Sequence, residues 1–171
     1  MTLLGDVEGP PDSPLTARAA FAGYLLLDAL IGNTDRHHQN WGLLRGRGPA
    51  LRLAPTFDHA SSLGFLLNDA QRVRYLSQSG GQSVDAYAAR ARSPWSGKIS
   101  PIDAAIAAAS MLTPEEQAKW RARSQHGYEA AVDSVRRVPN SRMSSSSREF
   151  ALSLIRHNFE ELSMRMAGLS S

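Results

Sequence analysis

The sequence predicts a single, mainly α-helical domain with one small β-hairpin near its N-terminal end. Helix starts are explicit at Ser100-Pro101 and at Thr113-Pro114, where a hydroxyl residue can cap the helix and proline occupies its first position. Short apolar segments that flank a glycine-rich turn, the pattern of a hairpin, occupy residues 41–53. With 171 residues, of which 42% are hydrophobic and 20% charged, the chain can bury one core.

The elements follow one another along the chain in a simple order. Residues 1–15, rich in glycine and proline, are predicted to form a flexible arm, and residues 16–168 the domain itself. The first helix has a wide apolar face, begins with a cap at Ser13 or at Thr16, and ends at Gly32. Two strands, five further helices and two linkers complete the chain: strands over 41–44 and 51–53, helices over 69–78, 83–92, 101–111, 114–137 and 147–166, and linkers over 93–98 and 138–147, the second ending in a serine run that is expected to be mobile.

The composition excludes several classes of protein. The chain has no cysteine, which excludes disulfides, thiolate zinc sites and cysteine nucleophiles. No apolar run approaches the roughly 20 residues of a membrane span, and the N-terminus lacks the pattern of a signal peptide, so a cytoplasmic protein without membrane contact is expected. The net charge is only +3 and the arginines are scattered, so direct nucleic-acid binding is not expected.

Polar residues suited to catalysis are densest in the segment that joins the first helix to the hairpin. This segment reads GNTDRHHQN over residues 32–40, and FDH follows the hairpin at residues 57–59. An acid, an amide five residues later and a second acid returned by a hairpin suit Mg²⁺, which prefers carboxylate and amide oxygens and takes its other ligands from phosphates and water. The pattern therefore favours a site for phosphoryl transfer, which depends on positioning and charge neutralisation.

The spacing of Asp35 and Asn40 is that of a kinase catalytic loop. The fuller strings, LLLDALIGNTDRHHQNWGLL and LAPTFDHASSLG, resemble the C-terminal lobe of HipA-like serine/threonine kinases and, more distantly, the phosphatidylinositol 3/4-kinase group. The resemblance covers about residues 20–64 and implies a kinase-like C-lobe helical domain whose hairpin carries a metal-binding Asp58. The sequence after Asp58 reads DHASS and departs from the Asp-Phe-Gly pattern of protein kinases, a position at which HipA-like chains also vary.

The resemblance assigns a role to each of five polar positions. Asp35 would be the general base or orienting acid for the substrate hydroxyl. Asn40 and Asp58 would coordinate Mg²⁺, with Asp58 bridging it to the phosphates of ATP. His37 would lie beside the transferred phosphate or brace the loop, and Arg36 would pair with an acid or with a phosphate.

Each assignment has a structural alternative. Asp35 could cap a turn, Asn40 could be an ordinary loop residue, and Asp58 could cap the helix that follows. The adjacent His37 and His38 could belong to a transition-metal site, although neighbouring residues rarely converge on one ion and no third ligand is suitably spaced.

Several other distinctive residues are expected to be structural. Asp28 is an acid on an otherwise apolar helix, and we expect it to brace the loop by hydrogen bonding. The tryptophans, at positions 41, 95 and 120, are most simply packing anchors.

A complete kinase also needs an N-terminal lobe, with a glycine-rich loop over the phosphates and a strand lysine. The residues before the loop contain no lysine, and the two lysines of the chain, Lys98 and Lys119, follow it. Three explanations are open: a separate polypeptide supplies the lobe, the reading frame is truncated or mis-started, or the fold has become a binding module. An uncovered lobe interface would expose apolar surface and favour homo-oligomerisation.

The predicted function is therefore ATP-dependent phosphorylation of a hydroxyl, with a serine or threonine of a protein substrate as the acceptor. The HipA-like resemblance also implies a toxin–antitoxin setting. The alternatives are a non-catalytic binding or regulatory module and a phosphoinositide-like lipid kinase. A lipid kinase would need a basic membrane-facing patch, which the scattered arginines do not form.

Overall fold

The computed structural model describes residues 4–46, 49–77, 82–94 and 98–170. The predicted fold class, mainly helical with one small antiparallel hairpin, is confirmed. In the hairpin, Leu44 lies opposite Arg52. The elements in chain order are α1 Ala17–Ile31, β1 Leu43–Arg45, β2 Leu51–Leu53, α2 Asp69–Leu76, α3 Val84–Arg90, α4 Pro101–Ala109, α5 Pro114–Arg137 and α6 Ser145–Ala167, followed by a 3-10 turn over Gly168–Ser170.

Helix α1 is the central helix of the domain. Thr16 caps it by accepting a hydrogen bond from the backbone N–H of Ala19 at 3.1 Å, which decides between the two predicted caps. Gly32 ends it in the left-handed conformation, with φ at 65°, as the sequence predicts. Its alanines allow close packing against α4, α5 and α6, and most of its circumference is buried. The helix that leads into the polar loop is therefore fixed in the core.

The long helices α5 and α6 pack against each other and against α1. The rings of Tyr128 and Phe159 stack with their centroids 4.5 Å apart. Trp120, one of the predicted packing anchors, donates its indole N–H to the backbone oxygen of Ala19 at 3.0 Å. Among the helices of the described residues, none has an apolar stretch long enough to cross a bilayer.

Helices α2 and α3 are attached to α6 by an aromatic cluster. The rings of Tyr75, Tyr87 and Phe150 lie with centroids 5.2 to 6.0 Å apart. Gly64 precedes α2 with φ at 70°, and a Cβ there would lie 2.5 Å from the Phe150 ring. Glycine is thus required at this point by both backbone conformation and space.

The serine run over residues 144–147 has a structure that differs from the predicted one. The serine run is not a linker: Ser144 caps α6 by accepting from the backbone N–H of Ser147 at 3.2 Å, and the following serines form its first turn. Serine is a poor residue inside a helix but a good cap, so composition alone suggested the wrong structure.

Of the other predicted features, the hairpin-turn residues 47 and 48, residue 78 and Trp95 lie outside the described residues.

The described part of the N-terminal arm is docked on the hairpin. Glu8 forms a parallel bridge with Arg52: its N–H donates to the oxygen of Leu51, and its oxygen accepts from Leu53, both at 2.9 Å. Leu4 is buried in the main core. The mobility predicted for the arm stays a prediction, but these contacts add a third extended segment beside β2.

The packing of α1 against Trp120 can be tested at a glycine. Gly23→Ala should lower the free energy of unfolding by about 1–3 kcal/mol, since the added Cβ would lie 2.2 Å from Cζ2 of Trp120. Gly127→Ala on α5 is the matched control: a Cβ there has nothing within 4 Å, and the change should raise the free energy by about 0.5–1 kcal/mol. Urea unfolding measures both, and effects of the same sign would contradict this packing.

Candidate functional site

A buried ion pair joins α1 to the polar loop. Asp28 on α1 is 2% exposed and Arg36 in the loop is 1% exposed. Arg36 donates from Nε to Asp28 Oδ2 at 2.7 Å and from Nη2 to Oδ1 at 2.8 Å, a bidentate arrangement. Asn33 Nδ2 adds a third donor to Oδ1 at 2.8 Å. The expectation that Asp28 braces the loop by hydrogen bonding is confirmed.

Arg36 also holds the segment that follows the hairpin. Its Nη1 donates to the backbone oxygen of Phe57 at 2.9 Å and to that of Asn40, and its Nη2 contacts His59 Nδ1 at 3.0 Å. Of the two partners predicted for Arg36, an acid or a phosphate, the structure has the acid, Asp28. The guanidinium is turned into the protein, where it positions the loop, and is not turned outward to a phosphate.

His59 extends this network. Because the guanidinium of Arg36 can only donate, Nδ1 of His59 is the acceptor, and the ring proton is on Nε2. Nε2 then donates to Oγ1 of Thr56 at 3.1 Å. Of these two partners, Thr56 is three residues from His59, but Arg36 comes from a segment more than twenty residues away and leaves no local pattern in the sequence.

Asp35 lies at the surface of the loop with its carboxylate 48% exposed. Ser61 Oγ donates to its Oδ2 at 3.4 Å, and Nε2 of His37 lies 3.7 Å from its Oδ1. The backbone N–H of Gln39 donates to Nδ1 of His37 at 3.1 Å, which places the proton of the neutral ring on Nε2, facing Asp35. The local turn is closed by the backbone oxygen of Asp35, which accepts from His37 N–H at 2.8 Å, so the carboxylate is not used as the cap.

Asn40 is buried, with 5% of its surface exposed. Its Nδ2 donates to the backbone oxygen of Asp35 at 2.7 Å, and this bond fixes the side chain across the loop. The amide nitrogen is thereby committed, and within the described ranges no donor hydrogen-bonds to Oδ1. Asn40 therefore closes the loop through its amide nitrogen, and its Oδ1 makes no hydrogen bond within the described residues.

Asp58 is exposed and its backbone is strained. Its φ of 55° lies in the left-handed region, which few residues other than glycine adopt, although aspartate tolerates it. Its neighbours Phe57 and His59 both contact Arg36, so the conformation is imposed from both sides. Asn68, and not Asp58, caps the next helix, so the alternative of a helix-capping Asp58 is wrong. Strain at an exposed acid is a feature that clusters at functional sites.

The segment after the hairpin continues along the loop. Thr34 N–H donates to the backbone oxygen of Ser61 at 3.2 Å, and Leu63 N–H donates to that of Ile31 at 2.9 Å. Together with the contacts of Arg36, these bonds lay residues 57–63 against residues 31–36. The hairpin therefore brings the segment that carries Asp58 back against the loop, as the sequence pattern requires.

The side-chain oxygens of Asn40 and Asp58 are ligands of the type that Mg²⁺ prefers. Among the described residues, no group of three or more histidine, aspartate or glutamate side chains is placed to hold an ion. A carboxylate and an amide oxygen, from Asp58 and Asn40, fit Mg²⁺, which completes its coordination with phosphates and water.

A large cleft of about 630 Å³ lies elsewhere, among α3, α4 and α6, and none of the loop acids lines it.

Asp28→Asn should lower the free energy of unfolding by about 3–5 kcal/mol, because it leaves the Arg36 guanidinium buried without a counter-charge. Asp133→Asn is the control: it breaks an exposed pair with Arg137 on α5 and should cost about 0.5 kcal/mol or less. Thermal and urea unfolding of both variants measure the difference. Equal, small losses would mean that the buried pair does not hold the loop.

Comparison with known proteins supports the fold. No protein-family model matches this sequence, and none of the curated proteins matches it. Among solved structures, the chain is similar to the crystal structure of a Helicobacter pylori proinflammatory kinase, CtkA, with a TM-score of 0.65 and 21% sequence identity. The match covers 93% of this chain and 55% of that chain, so this chain spans about half the length of that kinase. The fold is kinase-like.

Proposed function

We propose that this chain, with its kinase-like fold, is the catalytic half of an ATP-dependent phosphotransferase of the HipA-like protein serine/threonine kinase type. One observation carries the proposal: Arg36 binds both the loop of Asp35 and Asn40 and the two residues that flank Asp58. An acid, an amide oxygen and a second acid on adjoining segments are the parts that phosphoryl transfer requires.

Each polar residue has a role in this proposal. Asn40 Oδ1 and the Asp58 carboxylate would hold Mg²⁺, which supplies charge neutralisation at the phosphates of ATP. Asp35, half exposed and hydrogen-bonded by Ser61, would orient the acceptor hydroxyl and take its proton. His37, with its Nε2–H next to Asp35, would donate a hydrogen bond to a phosphate oxygen.

The other half of the kinase, with the glycine-rich loop and strand lysine, would come from a partner polypeptide or a longer chain. The match to about half the length of CtkA is consistent with this division. Exposed apolar side chains on β1 and after the hairpin also favour a covering partner, since an open lobe interface would expose such side chains. These side chains are Leu43, Leu44, Phe57, Phe65 and Leu66, which are 40–79% exposed.

A shared cation can be tested with Mn²⁺ as a paramagnetic probe in NMR. With ATP present, Mn²⁺ should broaden the backbone amides of residues 35–40 and of residues 56–59 together, because both segments supply its ligands. Asp58→Asn should remove the broadening from both segments. Asp133→Asn on α5, remote in sequence and exposed, should leave it unchanged. Broadening of one segment alone would contradict a shared site.

ATP turnover tests the need for a second lobe. The purified chain should hydrolyse or transfer very little phosphate from Mg²⁺-ATP. The glycine-rich loop and the strand lysine that bind the nucleotide would lie on another polypeptide or segment. Robust autophosphorylation by the chain alone would contradict that division. In a reconstituted enzyme, Asp35→Ala and Asp58→Ala should each abolish transfer to a protein hydroxyl. Transfer that survives both changes would contradict the roles proposed for these two acids.

A further inference from the structure

An apolar groove of about 310 Å³ lies among α1, α5 and α6, away from the polar loop. Its walls are hydrophobic and come from all three helices. The main contributors are Leu27 and Leu30 from α1, Trp120 from α5, and Phe159, Leu162 and Met166 from α6. A concave apolar site of this size is at the small end of ligand pockets, so it suits a small molecule.

Gly127 lines this groove from α5. It lies inside the helix, and a Cβ there would have nothing within 4 Å. Glycine inside a helix costs about 0.5–1 kcal/mol relative to alanine, and packing does not require it here. The contrast is Gly23 on the opposing helix, where a Cβ would strike the Trp120 ring. Packing among the described residues therefore gives no reason for glycine at position 127.

Arg123 gives the groove a single charge. It lines the groove one helical turn before Gly127, with its guanidinium carbon 5.6 Å from the centroid of the Trp120 ring. In the part of the chain that the structure describes, no carboxylate lies within 4 Å of this guanidinium. A cation without a counter-charge beside an apolar groove is complementary to a ligand with an apolar body and one anionic end.

We propose that the groove binds an amphipathic monocarboxylate, with its hydrocarbon chain against α1 and α6 and its carboxylate on Arg123. A groove of about 310 Å³ is at the small end of ligand pockets, a size that suits a medium-chain fatty acid better than a long-chain one. The site is separate from the polar loop and does not depend on the phosphotransferase proposal.

Isothermal titration with decanoate, below its micellar concentration, tests the site. The wild-type chain should bind decanoate, and Arg123→Gln should weaken binding about tenfold or more, through loss of a charge-assisted bond. Decanol, which has the same chain without the charge, should bind the wild type and Arg123→Gln equally. Arg137→Gln is the matched control, since Arg137 lies on the same helix, is exposed and pairs with Asp133 outside the groove. It should bind decanoate like the wild type.

Gly127→Leu tests the groove itself and should abolish binding of both ligands, because its side chain would project into the open space. Circular dichroism and unfolding establish that this variant is folded, and Gly127→Ala, which fills much less of the groove, should keep most of the affinity. Three outcomes would overturn the proposal: decanoate does not bind the wild type, it binds Gly127→Leu unchanged, or Arg123→Gln has no effect. Sedimentation that finds a dimer broken by Gly127→Leu would assign the groove to a second copy and also overturn it.

Discussion

The buried pair of Asp28 and Arg36 is the interaction on which the geometry of the polar loop depends. Removing two charges from water is costly, and here the cost is offset by a bidentate contact and by further donors and acceptors that saturate both groups. Arg36 binds α1, the loop and the segment after the hairpin at once. A shift of any of the three would therefore leave the charge of Asp28 or of Arg36 exposed or without its partner. The pair therefore acts as a clamp that sets where the surface acids lie.

The core holds Asp28, one end of that clamp, in place. Asp28 is on the most buried helix of the domain, whose alanines and Gly23 let α4, α5 and Trp120 approach closely. Gly32 then ends the helix just before Asn33, which itself bonds to Asp28. The inner side of the loop is consequently held by hydrogen bonds, while Asp35 and Asp58 are exposed at the surface. In the proposed function, this division into a fixed inner shell and accessible acids would position a phosphate without enclosing it.

Helix positions were predictable because their ends carry local chemistry. Thr113 and Pro114 mark the start of α5, and Asp28 was recognisable as an acid on an apolar helix. The choice between Ser13 and Thr16, and the role of the serine run, were not predictable, since several hydroxyl residues compete to cap and only packing selects one. The roles of His59 and Ser61 were missed for another reason: their partners Arg36 and Asp35 lie across the hairpin, and a contact between distant segments leaves no periodic pattern in the sequence.

The central claim is that Asn40 and Asp58 supply oxygens to one divalent cation. A crystal of the chain soaked in MnCl₂ with a non-hydrolysable ATP analogue, recorded near the manganese absorption edge, tests it most directly. The account predicts an anomalous peak within about 2.0–2.3 Å of an oxygen from each of these two side chains. A peak bound to only one of them, or none at the loop while manganese binds elsewhere, would contradict it.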